Sequence, residues 1–127
     1  MLKILVVDDE SDYRTLISQL LMRGLEADVI TATSKSEAVQ MLDSEEWLDL
    51  VICDYQMPDG TGFDVFEHMK QAGNSSFFVL CTNMPVSVLP KFEGDGFLGI
   101  IQKAEIHKVC EKLSALLSSG SRKGWTV

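Results

Sequence analysis

The sequence lacks long apolar runs. Stretches such as Ile4–Val7 and Phe77–Cys81 are among its longest, far below the roughly 20 apolar residues that cross a bilayer. The residues after Met1 also lack the charged and apolar segments of a signal peptide. These absences predict a cytoplasmic protein with no segment inserted in a membrane.

Basic residues are outnumbered by acidic ones. The chain has 11 Lys and Arg against 19 Asp and Glu, which gives a net charge of −8 at pH 7. Proteins that bind nucleic acids or anionic membranes need excess positive charge to neutralise phosphates. The composition therefore predicts no direct nucleic-acid binding, and we expect the direct partner to be a protein.

Cysteine is scarce and follows no recognised pattern. Cys53, Cys81 and Cys110 are odd in number and have neither metal-ligand spacing nor a disulfide framework. We therefore expect three free thiols. Cys53 and Cys81 lie within apolar runs, where a buried small hydrophobe is the favoured interpretation over a redox group.

Apolar residues are plentiful enough for one compact domain, at 46% of 127 residues. Runs that are apolar almost throughout are typical of strands in a parallel sheet covered on both faces. Five such runs occur, at Leu2–Val7, Ala27–Ala32, Leu48–Cys53, Phe77–Cys81 and Phe97–Ile101. The intervals between these runs are then expected to carry crossover helices.

Helical signals occupy most of these intervals. Apolar residues at helical spacing over Tyr13–Leu21 predict the first helix, with Gly24 as its C-cap. Ser34–Glu37 is a capping box that predicts the start of the second. The third is expected over about Thr61–Gln71 and the last over about Glu105–Leu117.

The fourth interval, Asn83–Gly96, is different because Pro85 and Pro90 leave room for only a short helix. We predict a short, distorted or mobile helix there. Five β-α units indicate a doubly wound α/β fold whose functional crevice lies at the carboxyl ends of the strands. The predicted domain covers residues 1–119, followed by a flexible tail at residues 120–127.

Reactive side chains follow the predicted strands. Asp8 and Asp9 follow the first strand, Asp54 the third, Thr82 the fourth and Lys103 the fifth. Crowded carboxylates repel one another unless a cation lies among them, and Mg²⁺ prefers such oxygen ligands. A carboxylate can attack phosphorus when a metal and a lysine screen the charge. This set therefore favours phosphoryl transfer.

The order and spacing of these fragments resemble the receiver-domain family of bacterial-type two-component response regulators. The fragments are Val6–Glu10, Asp54–Gly62, Thr82, Gly96 and Lys103. The resemblance covers essentially the whole chain. It implies a flavodoxin-like (βα)5 fold with a five-stranded parallel sheet in the order 2-1-3-4-5.

The resemblance also implies a chemistry for the site. Asp54 would accept a phosphoryl group from a sensor histidine kinase or a phosphotransfer protein. Asp9, Asp54 and the backbone carbonyl of Gln56 would ligate Mg²⁺ directly, and Asp8 would act partly through water. The protein would be a signalling phosphoacceptor and not an enzyme, working alone or in a phosphorelay.

Thr82 and Lys103 would hold the phosphoryl oxygens. In this family the loop that follows the threonine reorganises on phosphorylation. The change spreads to the fourth helix, fifth strand and fifth helix, where a downstream protein target recognises the phosphorylated state.

Four features depart from the family pattern. Ile100 stands where receivers commonly have a Tyr or Phe that swings inward, and Ala104 replaces the proline that often follows the lysine. Asn83 is bulkier than the usual residue after the threonine. Because Pro85 and Pro90 also disrupt the fourth helix, we expect intact phosphorylation chemistry and an atypical route to the surface.

Two alternatives stay open. The departures at Ile100, Ala104 and the fourth helix would suit a receiver-like interaction module that works without phosphate. A phosphatase of the haloacid dehalogenase class also uses an aspartyl-phosphate, but its nucleophile follows the first strand as Asp-x-Asp, whereas this chain has Asp8-Asp9-Glu10 there. The chain is either a stand-alone receiver or a domain excised from a longer regulator.

Overall fold

A computed structural model describes residues 1–44 and 47–119 of the chain. The predicted tail at residues 120–127 lies outside the described residues. The main sheet has five strands, all paired in parallel. They are β1 (Lys3–Val7), β2 (Asp28–Ala32), β3 (Leu50–Cys53), β6 (Phe77–Thr82) and β7 (Phe97–Gln102).

The order of the strands across the sheet is β2-β1-β3-β6-β7. Counting only the five strands of the main sheet, this is the predicted order 2-1-3-4-5, so the predicted doubly wound fold is confirmed. A second, two-stranded antiparallel sheet was not predicted. It consists of β4 (Gln56–Met57) and β5 (Gly60–Thr61), which form a short hairpin directly after β3.

Helices cover both faces of the sheet, as the nearly continuous apolar strands predicted. They are α1 (Ser11–Gly24), α2 (Lys35–Ser44), α3 (Gly62–Gln71) and α4 (Val109–Ser119). Residues from α1 and α4 pack in one buried cluster, and residues from α2 and α3 pack in another on the opposite face. In the described parts of the chain, no helix is both long and apolar enough to cross a membrane.

The last helix does not begin as predicted. Residues Lys103–Lys108 form 3₁₀ turns, with Glu105 outside helical geometry at φ −109° and ψ 20°, and the α-helix starts only at Val109. Lys103, Ile106 and Val109 are all buried. Because a 3₁₀-helix has three residues per turn, this geometry directs these three side chains inward together.

Gly24 is not the C-cap that was predicted. It is the last residue of α1, Leu25 is the cap at φ −118°, and the left-handed backbone falls one residue later, at Glu26 with φ 52°. A Cβ atom at Gly24 would lie only 2.5 Å from the Sγ atom of Cys110. The missing side chain therefore lets α1 and α4 pack closely.

The start of α2 follows the predicted capping pattern in a shifted form. The Glu37 N–H donates to Ser34 Oγ over 3.1 Å, while Glu37 Oε1 accepts from the Thr33 N–H over 2.8 Å. A standard capping box would return that second bond to residue 34. Both bonds still satisfy backbone donors at the beginning of the helix.

The fourth interval contains one 3₁₀ turn, Val86–Val88, and no α-helix. The predicted short or distorted helix is therefore confirmed. Phe92, in the irregular part that follows, packs against the rings of Phe63, Phe66, Phe78 and Phe97, with centroid distances of 4.7 to 6.0 Å. An aromatic cluster thus covers the part of the sheet that a regular crossover helix would otherwise cover.

Candidate functional site

The carboxyl ends of four parallel strands bring the predicted site residues to one edge of the sheet. Asp8 follows β1, Asp54 follows β3, Thr82 ends β6 and Lys103 follows β7. The backbone of both aspartates continues the strand ladder: the Asp8 N–H donates to the Ala32 carbonyl and the Asp54 N–H to that of Val7. The sheet therefore fixes the backbone positions of both aspartates.

Lys103 lies at the centre of the site. Its Nζ is 2.9 Å from Asp8 Oδ2, 2.9 Å from Asp54 Oδ2 and 3.3 Å from Glu10 Oε1. Lys103 is 2% exposed, Asp8 1% and Asp54 7%. One buried ammonium thus bridges two buried carboxylates, and removing the lysine would leave both carboxylates buried without their partner.

Burial and charge act in opposite directions on these groups. Burial alone lowers the pKa of Lys103, but hydrogen bonds and charges from Asp8 and Asp54 outweigh it and raise that pKa. Burial raises the pKa of Asp8, although Lys103 and the Glu10 N–H oppose the shift. We therefore assign a firmly protonated lysine, held in place by the two carboxylates.

Backbone donors fix the remaining oxygens of these carboxylates. The Glu10 N–H donates to Asp8 Oδ1 over 2.9 Å, and the Tyr55 N–H donates to Asp54 Oδ1 over 2.7 Å. A carboxylate has about four lone-pair sites. Asp54 thus keeps acceptor capacity beyond its bonds to Lys103 and Tyr55.

An open cleft of about 200 Å³ lies over this cluster. Its lining residues are Asp9, Glu10, Asp54, Gln56, Thr82, Asn83, Met84 and Lys103. Thr82 is buried, and its Oγ1 accepts the Met84 N–H over 3.1 Å, so the hydroxyl proton remains available to a ligand. All the predicted site residues except Asp8 border the cleft.

Four carboxylate groups could hold a cation at the cleft. Oxygens of Asp8, Asp9, Glu10 and Asp54 lie within 4.8 Å of one another, with Asp9 and Glu10 exposed. Lys103 supplies a single positive charge to these acids, so the donor set fits a divalent oxygen-seeking ion such as Mg²⁺. Glu10 had not been predicted as a candidate ligand, although its position directly after Asp8 and Asp9 in the sequence could have indicated it.

Close packing fixes the backbone next to Asp54. A Cβ atom at Gly62 would lie 2.6 Å from the Asp54 carbonyl oxygen and 2.8 Å from Leu80 Cδ1. The Gly62 N–H donates to the Tyr55 carbonyl over 2.8 Å. The missing side chain at Gly62 therefore lets α3 begin directly against the chain that carries Asp54.

The hairpin that carries Gln56 is tied to α2. Both Asp59 oxygens accept backbone N–H groups at the start of that helix, from Lys35 and Ser36, each over 2.9 Å. The bonds from Ser36 and Lys35 lower the pKa of the exposed Asp59 carboxyl. The hairpin beside the cleft is thus held by a charge-assisted contact outside it.

Tyr13 is a neighbour of the site that the sequence did not reveal. The Lys103 Nζ lies 4.2 Å from the centroid of its ring. A cation over an aromatic face is stabilised by the ring quadrupole. Helical spacing marked Tyr13 only as a core residue, because its contact with Lys103 joins two elements that are far apart in the sequence.

The cysteines are free thiols, as predicted. Burial raises the pKa of Cys81 to about 12 and that of Cys53 well above its ordinary value, with a smaller contribution from nearby Asp54. Both thiols therefore stay protonated and act as small apolar groups. Cys110 is half-buried, and burial raises its pKa too.

Ile100 and Ala104 lie on either side of the site lysine. Ile100 is half-buried and packs against the cluster formed with α2 and α3, whereas Ala104 is exposed. Every peptide bond in residues 1–44 and 47–119 is trans, including the bond before Ala104.

Comparison with known proteins agrees with this geometry. A family model described as the response regulator receiver domain matches residues 4–113. The sensory transduction protein LytT of Bacillus cereus is 31% identical over 114 residues, 89% of this chain and 46% of LytT. The rice two-component response regulator ORR8 (Oryza sativa subsp. indica) is 38% identical over 69 residues, 54% of this chain and 56% of ORR8.

Solved structures agree as well. The response regulator TrrA of Thermotoga maritima, in complex with Mg²⁺-BeF, has a TM-score of 0.78 and 27% identity, covering 92% of this chain and 100% of that one. A CheY-like receiver domain from Methanospirillum hungatei also gives 0.78, at 20% identity over 98% of this chain and 99% of the other. The latter similarity concerns the fold alone.

The chain belongs to the response regulator receiver-domain family of two-component signalling. It spans about half the length of LytT and of ORR8.

Proposed function

We propose that this protein is a phosphoacceptor, in which Asp54 receives a phosphoryl group. The observation that carries the proposal is the bridge from Lys103 Nζ to Asp8 and Asp54, 2.9 Å to each, beneath a cleft that Asp54 and Thr82 border. A buried carboxylate with an ammonium beside it can approach an anionic donor that it would otherwise repel.

In the proposed step, one Asp54 oxygen forms a bond to phosphorus while the bond from phosphorus to the donor breaks. The leaving group keeps the electron pair of the broken bond. It is the imidazole when phosphohistidine is the donor and acetate when acetyl phosphate is the donor. A carboxylate nucleophile needs no proton removed, so the site requires no general base. Lys103 and the Thr82 hydroxyl would donate to the phosphoryl oxygens.

Mg²⁺ is the proposed cofactor. Asp9, Asp54 and the Gln56 carbonyl would hold it directly, and the carboxylates of Asp8 and Glu10 belong to the same cluster. When bound, the ion would neutralise charge on the carboxylates and on the incoming phosphoryl group. TrrA, the similar protein solved with Mg²⁺-BeF, supports this assignment by analogy.

The proposed partners are a sensor histidine kinase or phosphotransfer protein as donor and a downstream protein as target. Residues 1–119 would form the receiver, which would signal and not turn over a substrate. The rival module that works without phosphate is favoured only by Ile100, Ala104 and the irregular fourth interval, all of which lie outside the carboxylate cluster.

The experiment is incubation of the protein with acetyl phosphate and Mg²⁺, followed by intact-mass measurement. We expect the added mass of one phosphoryl group, removed by hydroxylamine and absent when EDTA replaces Mg²⁺. Asp54→Asn should acquire none. Asp28→Asn is the matched control, because Asp28 is exposed at the opposite edge of the sheet.

Two results would redirect the proposal. A wild-type protein that gains no phosphoryl group, while still binding Mg²⁺, favours the module that works without phosphate. Turnover of a phosphomonoester that Asp8→Asn abolishes and Asp54→Asn preserves favours a phosphatase instead.

A further inference from the structure

Gln102 makes a contact that links the site lysine to the loop after β6. It is the last residue of β7, directly before Lys103, and it pairs with Thr82 in the sheet register. Its side-chain Nε2 donates to the backbone carbonyl of Met84 over 3.0 Å. The Gln102 side chain thus joins the end of β7 to the segment that follows the neighbouring strand, β6.

Met84 is held at both of its backbone groups. Its N–H donates to Thr82 Oγ1 over 3.1 Å, and its carbonyl accepts from Gln102. Around it, Asn83 and the residues from Pro85 to Val88 are exposed. Because so little of this segment is buried, hydrogen bonds and not core packing decide where it lies.

The segment matters to the chemistry because Thr82, Asn83 and Met84 border the cleft over Asp54. A displacement of the Met84 backbone would remove the donor that orients the Thr82 hydroxyl. It would also open the cleft to water at the side of the loop. The Gln102 amide is therefore placed to control both the hydroxyl and the access of water.

We propose that Gln102 is a positioning residue, whose side-chain amide fixes the Asn83–Met84 wall of the cleft and joins it to Lys103. The inference rests on the proposed function for its effect on phosphoryl retention. The anchoring itself is independent of that function, because it concerns the protein without any donor.

The deciding variant is Gln102→Glu, which keeps the shape of the side chain but replaces the donor with an acceptor. Gln102→Leu removes hydrogen bonding altogether. Gln71→Glu is the matched control, since Gln71 is exposed at the end of α3. Global unfolding by urea is measured for each variant, so that a local effect can be told from a general loss of stability.

The first measurement is amide hydrogen exchange of residues 83–89 without donor or metal, read by mass spectrometry. Loss of one hydrogen bond of ordinary strength should speed exchange there by about fivefold in both Gln102 variants. Peptides from β1 and β3 should be unchanged, and Gln71→Glu should match the wild type. Unchanged exchange at residues 83–89 in both variants would overturn the inference.

The second measurement is the lifetime of the phosphorylated state after acetyl phosphate and Mg²⁺ are removed. We expect both Gln102 variants to lose the phosphoryl group about fivefold faster, because water reaches Asp54 more freely. Equal lifetimes despite faster exchange would overturn the positioning role. Failure of the wild type to accept phosphate contradicts the proposed function, while the exchange experiment still tests the anchor.

Discussion

The strand ends around Lys103 and the segment between β6 and β7 are held by opposite means. At the strand ends, a buried ammonium joins two buried carboxylates, and backbone donors fix the other oxygens. The stretch from Asn83 to Pro90 carries no charge and is mostly exposed. The first region is fixed by charge and sheet geometry, whereas the second depends on a few single contacts.

A few side chains keep the second region on the sheet. Phe92 stacks on Phe97 with centroids 4.7 Å apart, and Lys70 Nζ donates to the Glu93 carbonyl over 2.7 Å. The same Lys70 nitrogen lies 5.2 Å from the centroid of the Phe66 ring. The comparison teaches that the carboxylate cluster and the aromatic covering around Phe92 are held by separate contacts, so the covering can vary while the cluster keeps its chemistry.

The largest effect is expected from Lys103→Met, which tests the charged region. The Asp8 and Asp54 carboxylates would stay buried without a cation, so the free energy of unfolding should fall by about 3–5 kcal/mol in EDTA. Urea unfolding measures it. Saturating Mg²⁺ should restore part of the loss, because a cation that binds only the folded state stabilises it.

The loss of stability in Lys103→Met should depend on pH in a definite direction. Removing Lys103 raises the pKa of Asp8 further above its unfolded value, so the folded variant binds an extra proton between the two pKa values and loses stability as pH rises. The loss of unfolding free energy in Lys103→Met should therefore be smaller near pH 5 than near pH 8.

Lys112→Met is the control. It breaks a half-exposed pair with Glu105 and should lower the free energy of unfolding by under about 1 kcal/mol. Equal losses of unfolding free energy in Lys103→Met and Lys112→Met would contradict the claim that buried charges hold the strand ends.

A smaller effect is expected from Phe92→Ala in the second region. Truncating the ring leaves a gap against Phe97 and Phe78, at a cost of about 3 kcal/mol, since Phe92 is only half-buried. Val88→Ala is the control within the same segment, because Val88 is 58% exposed. Urea unfolding should separate the two, while Asp54 should still be phosphorylated in both. Loss of phosphorylation in Phe92→Ala would show that the regions are coupled.

Sequence alone predicted the sheet because its strands are short runs that are apolar almost throughout, a pattern that favours parallel strands covered on both faces. It also predicted that Asp8, Asp54, Thr82 and Lys103 meet, because parallel strands end at one edge. The two prolines indicated the irregular fourth interval. Each of these predictions rests on a local pattern with a single physical cause.

What the sequence did not predict depends on contacts between distant elements. The role of Gly24 is set by Cys110, and the 3₁₀ start of the last helix accompanies the burial of Lys103, Ile106 and Val109 together. The hairpin at Gln56 and the anchoring of Asp59 on α2 likewise require the assembled fold. None of these contacts leaves a periodic or spaced signal along the chain.

The smallest effect is expected from Tyr13→Leu, which asks whether the charged region depends on the ring beside Lys103. Loss of the aromatic face 4.2 Å from Nζ should lower the free energy of unfolding by about 1 kcal/mol, measured by urea in EDTA. Tyr13→Phe keeps the face and should match the wild type. In the Lys103→Met background the cost of Tyr13→Leu should shrink, because no cation remains to be stabilised. A cost that is the same in both backgrounds would assign Tyr13 to apolar packing alone, and the charged region would then be held by its carboxylates without help from the ring.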